Sequence, residues 1–234
     1  MMQSDSVLPG EGAKQPYVRE MFDRIAGTYD IVNRVMTFGL DQGWRSRLIR
    51  EMQLGAHAQV LDLACGTGDF LKAWSAKGAQ VYGLDLSYQM LRRAEPFAPL
   101  VQAAGEALPF ADASFDAVSS GFAVRNFADF AGVLAEVSRV LRPGGVLGVL
   151  EVATPKSKVV RELHGFYFGS LVPLIGGLVS SDKVAYRYLP QSVSYLPSED
   201  RFVELFEQSG FVDLKRIVVG LGAAQLLIAK RRGV

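Results

Sequence analysis

Two glycines, Gly66 and Gly68, stand one residue apart in the stretch VLDLACGTGDF, residues 60–70. An apolar run precedes them and a helical pattern follows. A turn of that composition lets the backbone approach a ligand, because glycine reaches φ > 0 without steric penalty. Asp85 closes the next apolar run, 19 positions after Gly66. An acid there can accept hydrogen bonds from both hydroxyls of a ribose. Together these residues predict a nucleoside site.

The departures from two common patterns narrow the ligand. A dinucleotide site wants a further glycine three positions after the second one, and Leu71 stands there. No Lys-Ser/Thr pair follows the turn, so it is not a phosphate-binding P-loop. Asp62 and Asp69 bracket the turn, and carboxylates repel phosphate but suit a cation. S-adenosyl-L-methionine carries a sulfonium, an amino group and no phosphate, and this pattern favours it. Cys65 lies in the same turn, where it reads as a small apolar residue rather than a nucleophile.

The elements that must position these residues alternate. Residues 16–34 and 41–52 read as helices. AQVLDLA (58–64) is continuous in apolar character, as expected of a parallel strand buried on both faces. A helix over 69–77, ended by Gly78, leads to a strand at 79–85. Ser87 is the expected N-cap of a helix over 88–95, and a short strand follows near 99–103. FDAVSSG (115–121) is a strand, 129–141 a helix, RPGG (142–145) a turn, and 146–153 a strand. Residues 157–187 read as helical, aromatic and loop-containing. Ser198 opens an amphipathic helix closed by Gly210. Two final strands meet at Gly220-Leu221-Gly222, which predicts an antiparallel hairpin. The expected class is α/β: a Rossmann-like, mostly parallel sheet with a C-terminal antiparallel hairpin and helices on both faces. Residues 1–15 are expected to be a flexible arm. Residues 16–234 form one domain with an N-terminal helical lid (16–52) and a helical substrate insertion (157–197).

Composition sets limits. The 234 residues include 25 basic and 24 acidic side chains, for a net charge of +1. No basic stripe marks a nucleic-acid partner. One cysteine and two histidines, His57 and His164, offer no metal-site spacing and no internal disulfide, which suits a reducing cytoplasm. The N-terminus does not read as a signal peptide. Residues 165–181 carry no charge but include Pro173 and four glycines, and they fall short of the roughly 20 residues a spanning helix needs.

Several stretches carry a resemblance. DLACGTGD, GLDLS and RVLRPGGVL resemble successive motifs of class I S-adenosylmethionine-dependent methyltransferases. MFDRIAGTYDIVNRVMTFGLDQGWR (21–45), LPFADASFDAVSSGFAVRNFAD (108–129), RYLPQSVSYLPSEDRF (187–202) and the C-terminal GLGAAQLLIAKR are similar to signatures of the quinone-biosynthesis C-methyltransferases of the menaquinone, ubiquinone and phylloquinone type. The resemblance covers about residues 17–232. The chain departs from the family's usual pattern at Ala123, where glycine is usual, and at Gly121, where serine is frequent. Its AAQLLIAK ending lacks a histidine common among the ubiquinone and menaquinone members.

The resemblance implies transfer of a methyl group from S-adenosyl-L-methionine to a ring carbon of a prenylated naphthoquinol, demethylmenaquinol to menaquinol, as the last step of menaquinone biosynthesis. A phytylated naphthoquinol and a ubiquinone precursor are the alternative acceptors; another apolar small molecule is a further one. The implied cofactor residues are Asp62, Ala64, Gly66, Thr67, Gly68, Asp85, Leu86, Ala104, Gly105, Glu106 and Gly121, with no metal. Arg125, Asn126 and Tyr29 are the candidate catalytic residues. Arg125 would stabilise a phenolate, Asn126 orient it, and Tyr29 relay a proton. An arginine buried without an anion is costly, so Arg125 must face a carboxylate or an anionic substrate. The expected partner is the prenylated quinol, in the cytoplasm; the inner face of the membrane, touched peripherally, and a second copy of the chain are further candidates.

Overall fold

The computed structural model describes residues 7–10, 12–95, 97–153 and 182–233. Among these residues seven strands form one sheet in the order β3-β2-β1-β4-β5-β7-β6. They are β1 (Gln59–Leu63), β2 (Gln80–Asp85), β3 (Leu100–Gln102), β4 (Phe115–Gly121), β5 (Leu141–Val152), β6 (Phe211–Val219) and β7 (Ala224–Arg231). The β1–β2, β2–β3, β1–β4 and β4–β5 pairs are parallel. β7 inserts antiparallel between β5 and β6. The order reverses beside β1, so the carboxyl ends of β1 and β4 flank a crevice, where ligands of such sheets bind.

The helices are α1 (Lys14–Ile25), α2 (Tyr29–Met36), α3 (Leu40–Met52), α4 (Asp69–Ser75), α5 (Tyr88–Ala94), α6 (Phe130–Val140), α7 (Lys183–Gln191) and α8 (Glu199–Gln208). Two apolar layers sandwich the sheet. Val133, Leu134, Val137, Phe202 and Phe206 cover one face; Leu48, Ile49, Met52, Leu71 and Trp74 cover the other. Local signals place the caps. Ser87 accepts from the Met90 N–H at the start of α5, and Ser198 from the Arg201 N–H at the start of α8.

Two expectations change, and a third region gains detail. The helix expected over 16–34 is two, broken at Ala26–Thr28, where the Thr28 N–H bonds to the Ile25 carbonyl. The break turns Tyr29 toward the sheet. RPGG is not a turn outside the strand: Leu141 already pairs with Phe115, and the four residues bulge within β5 between that pair and Ala117↔Val146. The arm expected to be loose is partly docked. Val7 and Leu8 pack against the cluster around Val18, Met21 and Tyr188, and the Val7 N–H donates to Gln191 at 3.0 Å. Apolar side chains inside a polar arm account for this: burying them offsets the entropy of ordering it. Most of the 157–197 insertion, with the uncharged 165–181 stretch and His164, lies outside the described residues. Among the described residues no helix is long and apolar enough to cross a membrane.

Candidate active site

The turn after β1 folds around one carboxylate. Gly66 and Gly68 take φ of +55° and +90°, and the Gly68 N–H closes the turn on the Cys65 carbonyl at 3.0 Å. The Gly66 N–H then points at Asp85 Oδ2, 2.8 Å away, while Asp85 Oδ1 accepts from the Ser87 N–H at 2.8 Å. Each carboxylate oxygen has two lone pairs, so acceptor capacity remains. Asp85 lines a cavity of ≈ 690 Å³, measured with its open mouth. Ala64, Gly66, Leu86, Ala104, Gly105, Glu106 and Gly121 line the same cavity, as do Tyr29 and Asn126. Among the described lining residues the charged side chains are Asp85, Glu106 and Arg19, the last of them exposed on α1. That balance suits a cationic nucleoside and disfavours a pyrophosphate. The spare lone pairs of Asp85 fit a ribose diol, so the residues present fit S-adenosyl-L-methionine.

Asp62, Thr67 and Gly68 do not line the cavity. Asp62 is buried behind the turn, where Ser119 Oγ donates to its Oδ1 at 3.1 Å and its Oδ2 has no partner among the described residues. Burial pushes its carboxyl well above the usual range. Thr67 Oγ1 donates to Asp30, and Gly68 packs under Phe97 and Ala94. Asp69 is paired with Arg34 at 2.7 Å and lies 3.6 Å from Arg45. The acids read from the sequence as a phosphate-repelling bracket are therefore one buried carboxyl and one neutralised carboxylate. The cavity's acidic balance comes from Asp85 and Glu106 instead.

Burial raises the Asp85 carboxyl to about 6, against backbone N–H bonds from Ser87, Gly66 and Leu86 that lower it. The folded value exceeds the unfolded one, so the stability tied to this group is fully present below about pH 4 and lost as pH rises through about 6. A ligand whose hydroxyls bond the charged carboxylate reverses that cost and expels the proton. Affinity for S-adenosyl-L-methionine should then fall about tenfold between pH 7 and pH 5. Proton release, measured by calorimetry in two buffers of different ionisation enthalpy, checks it; affinity flat across that range refutes it.

Helices α1 and α2 roof the cavity with Val18, Arg19, Phe22 and Tyr29. Two carboxylates tether the roof to the floor. Asp23 Oδ1 accepts from Ser87 Oγ at 2.6 Å and from the Gln89 N–H at 3.1 Å, and Asp30 accepts from Thr67. Burial raises the Tyr29 phenol, so it stays protonated and serves only as a neutral hydroxyl.

The segment after β4 also lines the cavity. Phe122 takes φ +59°, and a 3-10 turn, Val124–Asn126, presents Asn126 to the cavity. Tyr188 OH donates to Asn126 Oδ1 at 3.2 Å, and Asn126 Nδ2 reaches the Phe122 carbonyl at 3.4 Å. Arg125 is not among the lining residues. It is buried and donates to Glu151, which is wholly buried on β5. Of the two anions the sequence leaves open for Arg125, the structure supplies the carboxylate. The guanidinium is desolvated there and must pair with the nearest acid, so it points away from the cavity expected to hold its substrate.

A buried ion cluster escaped the sequence reading. Asp41 accepts from Arg45 at 2.6 Å, from Thr37 Oγ1 at 2.9 Å and from Arg34, while Arg34 and Arg45 also meet Asp69. The Arg45 guanidinium sits 5.4 Å from the Phe70 ring and 5.5 Å from the Phe122 ring. It ties α2, α3 and α4 together behind the turn. The available signal was the i,i+4 spacing of Asp41 and Arg45, which reads equally well as a solvated helix pair.

Comparison with known proteins bears on the fold and the family. Solved structures share the fold: an S-adenosylmethionine-dependent methyltransferase from Thermotoga maritima has TM-score 0.67 at 18% identity, covering 91% of this chain and 99% of that one. Phosphoethanolamine N-methyltransferase 2 of Haemonchus contortus, solved with S-adenosyl-L-methionine, has TM-score 0.67 at 16% identity, covering 92% of this chain and 60% of that one. In sequence, the demethylmenaquinone methyltransferase of Roseiflexus castenholzii is 39% identical over 97% of this chain and 99% of its own. The ubiquinone/menaquinone biosynthesis C-methyltransferase UbiE of Syntrophotalea carbinolica is 44% identical over 82% of this chain and 85% of its own. The model of the ubiE/COQ5 methyltransferase family matches residues 11–230. With that match spanning the sheet, the roof and the cavity, the chain belongs to the ubiE/COQ5 methyltransferase family.

Proposed function

We propose that the protein methylates a ring carbon of demethylmenaquinol, forming menaquinol, with S-adenosyl-L-methionine as donor. The observation that carries this reading is the joint placement of Asp85 and Asn126 on one cavity. One suits a nucleoside, the other an oxygen of the acceptor. Relatives named for demethylmenaquinone, matched over nearly the whole chain, support the naphthoquinol head group.

When bound, the donor supplies an electrophilic methyl on a sulfonium. Asp85 would hold the ribose hydroxyls through its remaining acceptor capacity. Leu86 and Ala104–Glu106 line the cavity beside Asp85 and would contact the rest of the nucleoside. Phe22 and Tyr29 exclude water from above. The acceptor's ring carbon is nucleophilic when its neighbouring hydroxyl has lost a proton, so the quinol rather than the quinone is the substrate. Asn126 Nδ2 can donate to that oxygen and favour its anionic form. Tyr29 stays protonated and cannot be the base. Arg125 faces Glu151 rather than the cavity. Water at the open mouth is left to carry the proton away. Carbon gains the methyl, sulfur keeps the bonding pair, the ring carbon loses its hydrogen, and one proton is released overall.

A water-insoluble acceptor also implies peripheral contact with a membrane, without insertion. The test supplies purified protein with S-adenosyl-L-methionine and short-chain demethylmenaquinone, with and without a reductant. Methylated product only under reducing conditions supports the reading. Equal turnover of the oxidised quinone, or none of the reduced one by protein that binds the donor, overturns it.

A further inference from the structure

A carboxamide that lines a reaction cavity can present either of two opposite groups, an N–H donor or a carbonyl acceptor, and a half-turn about its last bond exchanges them. Two neighbours decide the matter for Asn126. The Phe122 carbonyl, 3.4 Å from one end of the amide, can only accept, so that end is the NH2. The other end is then the oxygen, and the Tyr188 hydroxyl 3.2 Å from it must donate. Tyr188 comes from α7, 62 residues further along the chain. Its side chain is fully buried, and its ring lies against that of Tyr17 with centroids 5.6 Å apart. The phenol has little freedom to leave its position. Burial also keeps it protonated, so its donor is permanent.

We infer that Tyr188 is a positioning residue: it locks the Asn126 carboxamide with Nδ2 available to the acceptor's oxygen. The inference rests on the proposed quinol reaction and adds to it the residue that, together with the Phe122 carbonyl, holds the polarity of the acceptor site. An amide held this way offers a donor where negative charge develops. A free amide would spend part of its time offering a carbonyl, which repels that charge.

The test uses the full chain with single-turnover methyl transfer to reduced short-chain demethylmenaquinol. Tyr188→Phe keeps the buried ring and removes only the hydroxyl. The rate at saturating acceptor should fall about tenfold, the scale of one well-placed hydrogen bond, with the KM for the acceptor changing little. Affinity for S-adenosyl-L-methionine, measured by calorimetry, should stay within about twofold. In an Asn126→Ala background the same substitution should cost nothing further, because nothing is left to position. An unchanged rate in Tyr188→Phe, or an equal loss in both backgrounds, overturns the inference. So does a joint fall of melting temperature and cofactor affinity, the mark of a purely structural role. Should Tyr188→Phe not fold, Tyr17→Ala loosens the same ring without removing its hydroxyl. A several-fold loss then supports the lock, and none refutes it. Turnover by the unsubstituted chain in the same assay separates failure of this inference from failure of the proposed function.

Discussion

Asp85→Ala should weaken binding of S-adenosyl-L-methionine by roughly a hundredfold or more. Charge-assisted hydrogen bonds are worth about 1.5–3 kcal/mol each, and the substitution removes the proposed acceptor of the ribose hydroxyls. A second effect adds to the first. The same carboxylate holds the N–H groups of Gly66 and Ser87, and it lies almost wholly out of water. Without it the glycine turn and the start of α5 lose their common anchor. Asp85→Asn separates the contributions: it keeps the volume, but its NH2 must face a donor on one side or the other. Both variants should fold, since removing a desolvated charge also removes a cost. Calorimetry on folded protein is the check, and near-normal affinity in either variant defeats the assignment.

The second large effect is expected at Arg125, and it is chiefly one of stability. Arg125→Ala leaves Glu151 buried with no counter-charge, and breaking one side of a buried pair costs about 3–5 kcal/mol. Melting temperature should fall steeply, with cofactor affinity following it. Arg125→Met combined with Glu151→Leu should recover most of that loss, because well-packed apolar residues replace buried pairs at little cost. If the double variant melts near the parent yet transfers methyl groups a hundredfold more slowly, the pair serves catalysis as well. If Arg125→Ala is as stable as the parent, the brace is refuted. Denaturant unfolding and single-turnover rates on the same samples decide between these outcomes.

The ligand turn was legible in the sequence because its determinants are local. The glycines, Asp85 and the Ser87 cap lie in consecutive elements, and each has a strong residue preference of its own. The C-terminal hairpin was legible for the same reason: a short glycine connection leaves two strands few options. What the sequence hid depends on distant partners. Glu151 sits in an apolar strand 26 positions after Arg125, and no spacing rule joins them. The Tyr188–Asn126 bond spans 62 positions. Asp41 and Arg45 look like an ordinary surface pair until Arg34 and Asp69 converge on them from neighbouring helices. The bracket of acids pointed to the cofactor from positions off the cavity: burial, which sequence shows poorly, took Asp62 behind the turn, and pairing neutralised Asp69.

Ala64 and Phe122 both hold left-handed backbone without being glycine, with φ of +55° and +59°. They follow β1 and β4, adjacent strands at the centre of the sheet, and both line the cavity. A side chain in that region costs about 1–2 kcal/mol, so the floor of the site is held against a local preference to relax. Glycine at either position would refund that cost and let the chain leave the strand along many more paths. The fold thus gives up some of its margin against unfolding to keep two exits from the sheet aimed in fixed directions. Selection for a more heat-resistant protein would find gains at these two positions and would lose sharpness of the reaction geometry with each one.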